Sequence, residues 1–183
     1  MASIEIVEQA WSDYQRERRT RLDKKAFELL LRIFPSVIVA QADGFTDTSE
    51  VYRLEEMVKF LCKIEGVSPH NLDWRSEMRY LAIDMDFWRE RFLAALRALL
   101  SARPELYREQ AEFLFAIAAA STGDIVQNLL LRLRRAELPP GESEELISPK
   151  ERDEIERLIR ELDFEQAPEA LQYLRKLLDR SHG

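Results

Sequence analysis

The sequence predicts an all-α fold, a single-domain helical array of about eight helices over residues 1–183. Apolar residues recur at three- and four-residue intervals along most of the chain, the period that lines one face of an α-helix, and no segment alternates like a strand. The five glycines, at positions 44, 66, 123, 141 and 183, fall between those stretches or at the end of the chain, where a turn or a left-handed cap needs a residue without a Cβ. A hydrophobic content of 46% with 33% charged residues is that of an ordinary globular protein with one sizeable core.

The first stripe, Ile4, Val7, Trp11 and Tyr14, predicts a helix running into the basic stretch Arg16 to Arg21. A second helix carries Leu22, Ala26, Leu30 and Ile33; Pro35 is expected to kink or restart it, since proline lacks the amide donor and clashes one turn back. The third helix holds Val51, Leu54, Val58, Leu61 and Cys62, and Gly66 ends it. Ser68 and Pro69 read as an N-cap and first helical residue, opening a short helix toward Ile83. Trp88, Phe92, Ala95 and Leu99 line the next helix, and Pro104 starts another with Tyr107, Ala111, Leu114 and Ala118, ending near Gly123. Val126, Leu129, Leu130 and Leu133 predict one more before ELPPGESEEL, residues 137–146, a loop by composition. Ser148, Pro149 and Glu151 form a capping box with proline at the first helical position, and Ile155, Leu158, Ile159 and Leu162 are its buried face. Pro168 opens the last helix, packed through Leu171, Leu174 and Leu178.

Composition narrows the function. The 34 acidic residues outnumber the 27 basic ones, for a formal charge of −7, so no uniform field attracts nucleic acid phosphates. The most apolar passage, Phe113 to Ser121, falls short of the roughly 20 residues that cross a bilayer. Glu5 and Glu8 occupy the place where an export signal carries positive charge. The single cysteine, Cys62, cannot form an internal disulfide and fits a reducing compartment. A cytoplasmic protein without a membrane span is expected. Neither a phosphate loop, a dinucleotide fingerprint nor a nucleophile elbow is present, and with only His70 and His182 the chain lacks a zinc set. The basic run RERRTR, which includes Glu17, reads as a solvated helix face, while Trp74 and Trp88 read as core.

The segment AQADGFTDTSE, residues 40–50, sets Asp43, Asp47 and Glu50 beside Gly44. A hard cation such as Ca²⁺ or Mg²⁺ takes carboxylate and carbonyl oxygens, which a glycine turn can gather, although the spacing departs from the EF-hand pattern. Helix capping explains the same acids without a metal. Asp47 as N-cap and Glu50 three residues on make a capping box, and each feature contributes about 0.5–1 kcal/mol.

VIVAQADG, residues 37–44, is echoed by AIAAASTG, residues 116–123, and Glu50 precedes Leu54, Met57 and Leu61 at the offsets by which Glu151 precedes Ile155, Leu158 and Leu162. The apolar helix ending in Ala42-Asp43-Gly44, followed by Glu50 and a second apolar helix, resembles the signature of the TerB-like tellurite-resistance family over a core of about residues 25–165. That resemblance implies an all-α fold with two weakly repeated halves and a divalent cation held through acids at Asp43 and Glu50. Thr122 stands where the second half would need an acid, and a helix and loop at 124–146 interrupt the repeat. The expectation is a non-enzymatic bacterial domain binding Ca²⁺ or Mg²⁺ weakly in a metal or envelope stress response. The alternative is a metal-independent helical module that docks a protein partner.

Overall fold

The computed structural model describes residues 2–42, 48–68, 72–118 and 147–180. Among them are eight α-helices and no strand: α1 (Ala2–Arg18), α2 (Lys24–Ala40), α3 (Thr48–Glu65), α4 (Trp74–Ile83), α5 (Met85–Ala102), α6 (Leu106–Ala118), α7 (Pro149–Glu161) and α8 (Pro168–Arg180), with a 3₁₀ turn at Phe164–Gln166 before the last. The all-α prediction holds. The helix expected over Val126–Leu133 and the loop 137–146 lie outside the described residues.

Helix α2 is the centre of the array. Asp23 caps it by accepting the Ala26 amide at 2.8 Å, and every residue from Leu29 to Ala40 is buried. It packs against α3, α5, α6 and α7, so apolar surface on all its sides leaves water. Pro35 neither breaks nor restarts it: the helix runs through to Ala40. Its packing on several neighbours outweighs the hydrogen bond that proline forgoes, a penalty of about 3 kcal/mol in an isolated helix.

Several predicted boundaries shift. Helix α1 stops at Arg18 because Arg19 turns left-handed, with φ 55°. Ile4 is 60% exposed, so the buried stripe consists of Val7, Ala10 and Tyr14 with Trp11 at its edge. Val51 likewise faces out from α3. Gly66, with φ 66°, ends α3 as predicted. The fourth helix begins at Trp74 rather than after Ser68: Asp73 is its N-cap and accepts the Ser76 amide at 3.3 Å. Pro69 lies outside the described residues.

An aromatic cluster of Tyr14, Phe27, Phe34, Trp88 and Phe92 ties α1, α2 and α5 together, with ring centroids 4.8 to 5.7 Å apart. Trp88 is fully buried, whereas Trp74 is only partly so. The capping box forms as expected, with the Ser148 hydroxyl accepting the Glu151 amide and the Glu151 carboxylate accepting the Ser148 amide. Glu50 and Glu151 are both third residues of their helices, and the matched positions Leu54, Met57, Leu61 and Ile155, Leu158, Leu162 are all buried. The echo in the sequence is therefore an echo in packing.

Candidate functional site

Of the carboxylates singled out in the sequence, Asp43 and Asp47 fall in sequence between α2 and α3, and Glu50 belongs to the first turn of α3. The last turn of α2 tightens as the Gln41 amide donates to the Val37 and Ile38 carbonyls and the Ala42 amide to Val39 at 3.0 Å. Helix α3 begins at Thr48, one residue after Asp47, and Glu50 is its third residue. Asp43, Asp47 and the side chain of Glu50 lie outside the described residues, as do His70 and His182. Among the described residues, no group of three or more His, Cys, Asp or Glu side chains is arranged to hold a metal ion.

A polar cluster that the sequence did not disclose joins α2, α6 and the end of α3. Arg32, 2% exposed on α2, donates from Nε and Nη2 to the two oxygens of Glu109 on α6 at 2.7 and 2.6 Å, and from Nη1 to Glu65 at the end of α3 at 2.7 Å. Gln110 donates to the Arg32 carbonyl at 3.0 Å. Burial alone would lower the guanidinium pKa, but the bonds and charges of Glu109 and Glu65 outweigh it and raise the pKa above its ordinary value. The bidentate fork suits a planar guanidinium and would not survive replacement by lysine.

A second cluster joins α1 to α4. The Tyr14 hydroxyl donates to buried Glu77; Arg18 lies 3.4 Å from the same carboxylate, donates to the Ser76 hydroxyl at 2.6 Å, and stacks 5.0 Å over the Tyr80 ring. Burial, then the hydrogen bond to Glu77 and its charge, push the Tyr14 pKa well above the ordinary 10.0. Arg18 is thus a structural bolt rather than part of a solvated face.

Among the described residues each buried acid has a partner: Glu77 with Tyr14 and Arg18, Glu109 with Arg32, Glu151 in its capping box, and Glu112 with Arg108 3.6 Å away. Cys62 is buried, and burial raises its thiol pKa, as in packed rather than nucleophilic cysteines. A cleft of about 340 Å³ lies between the start of α2 and the end of α3, lined by Asp23, Lys24, Lys25, Gly66, Val67 and Ser68. Its lining shows that the two helices run antiparallel, with the cleft at one end of the pair and the end of α2 and the start of α3 at the other.

Among the described residues no helix is long and apolar enough to cross a membrane. Comparisons with protein families, with curated proteins and with solved structures find no match to this chain.

Proposed function

We propose that the chain is a non-enzymatic, TerB-like helical domain that binds a divalent cation weakly through Asp43, Asp47 and Glu50, in a bacterial metal or envelope stress response. One observation supports this most directly. Helix α2 ends at Ala40 and α3 starts at Thr48, so all three acids fall within one short connection and the first turn after it. A hard cation needs several oxygens gathered by a turn. The two helices that flank the connection also bond to each other through the Arg32–Glu65 ion pair, at the end of α3 away from the connection. Calorimetry with Ca²⁺, Mg²⁺, Mn²⁺ and Zn²⁺ tests the proposal. Heat from at least one ion that vanishes in Asp43→Asn is expected; no heat, or heat indifferent to that substitution, would overturn it.

The metal-independent interaction module is supported by the outer face of α3, where Val51 and Tyr52 are exposed at 42% and 59%. Large apolar side chains of this kind are common anchors for a protein partner. Pull-down with Tyr52→Ser, in buffer containing a chelator, separates this reading from the first: partners retained by the wild-type chain without metal and lost by the variant favour it.

A further inference from the structure

We propose that the corner formed by the α1–α2 link, the start of α2 and the end of α3 is a docking surface for an acidic segment of a protein partner. Residues 16–25, RERRTRLDKK, carry six cations and two acids within a chain whose net charge is −7. The acids around this corner are already committed. Asp23 caps α2, Glu65 bonds Arg32, Glu8 bonds Lys24, Glu17 faces Arg16, and Glu28 bonds Arg103. Arg19, Arg21, Lys25 and Lys63 are exposed and have no ion-pair partner among the described residues.

Uncompensated cations on an otherwise anionic body make a local positive field that steers and orients an anionic partner. The helix end itself is not the attraction, since the Asp23 carboxylate already satisfies its Ala26 amide. The link cannot relax the charges away: Leu22 is buried and its carbonyl accepts the Trp11 indole N–H at 2.8 Å, which fixes Arg21 and Asp23 on either side of it. The cleft of about 340 Å³ offers Lys25 on one wall and Val67 on the other, and Ile64, half exposed, lies one turn of helix before it. Cations spread over a link and two helices, with apolar side chains beside them, match a peptide that alternates carboxylates and aliphatic groups. Base stacking would need exposed aromatic rings in the lining, and none of the lining residues is aromatic.

The surface lies at the opposite end of the α2–α3 pair from the end of α2 and the start of α3, and it stands or falls apart from the cation proposal. The test is fluorescence anisotropy with a fluorescein-labelled peptide of repeated Glu-Glu-Leu, at low and at moderate salt, against a Lys-Lys-Leu peptide and a labelled DNA duplex. Expected are saturable binding of the acidic peptide that weakens as salt rises, a loss of about tenfold in Arg21→Glu/Lys25→Glu, and no change in Lys176→Glu on α8 or in Asp43→Asn. Lys63→Glu, on a different element, gives the same direction of change independently of how the double variant folds. Equal binding by wild type and the charge-reversed chains, tighter binding of DNA than of peptide, or no saturable binding at low salt would each overturn the proposal.

Discussion

Glu109→Gln should be among the most damaging single substitutions outside the apolar core. The change keeps the volume and one acceptor but removes the charge facing a guanidinium that is 2% exposed and held by two bonds of 2.6 and 2.7 Å. Breaking a buried pair by removing one partner costs about 3–5 kcal/mol, because the remaining charge is left in low dielectric. With the shape preserved, the lower end applies, ~3 kcal/mol, a large part of the ~5–15 kcal/mol that holds a typical domain folded. Glu65→Gln removes one bond to a carboxylate that is 36% exposed; water screens it, and the loss is ~1 kcal/mol or less. In urea, with a slope of ~2 kcal/mol/M, the Glu109 variant should unfold ~1.5 M earlier at unchanged slope. Arg32→Met/Glu109→Leu should recover most of that stability, since an apolar pair carries no desolvation penalty. If Glu109→Gln proves no more destabilising than Glu65→Gln, the buried fork is not what secures α2 to α6.

Tyr14 supplies a pH test. Its folded pKa is raised above the unfolded value of about 10, so its contribution is complete below pH ~10 and is lost as pH climbs toward the folded value; Tyr14→Phe should flatten the alkaline decline in stability measured by circular dichroism. Ser148→Ala should cost about 1 kcal/mol in thermal or urea unfolding, the usual loss for an N-cap hydroxyl, because it removes one half of the reciprocal pair with Glu151. Cys62, 6% exposed with its pKa raised by burial, should react slowly with a thiol reagent in the native protein at mildly alkaline pH and rapidly once urea unfolds it; fast native labelling would place the thiol at the surface.

What could be read from the sequence was local. The stripe Trp88, Phe92, Ala95 and Leu99 is buried throughout, the Ser148–Glu151 box forms, and Gly66 turns left-handed, since spacing, capping chemistry and the missing Cβ act within one turn or two. What escaped depends on distant partners. Arg32 interrupts the run LLLRIF, and a charge in such a run needs a counter-charge; Glu109 lies 77 residues away, beyond any periodicity argument. That α2 continues through Pro35 without restarting depends likewise on distant neighbours, which come from α3, α5, α6 and α7. The cap expected at Ser68 is not the one that opens the fourth helix, which starts at Trp74 with Asp73 as its N-cap. Of the acids at the proposed cation site, only the position of Glu50 at the third residue of α3 is fixed by the described helices.

The Arg32 fork also orders events during synthesis. When α2 leaves the ribosome its one deeply placed cation has no counter-charge, and Glu109 follows only after α3, α4 and α5 have been made. A nascent chain arrested before α6 can offer that guanidinium only Glu65 at the end of α3, a partly exposed carboxylate held by one bond, in place of the buried two-bond fork. The buried counter-charge of the central helix therefore arrives only with α6.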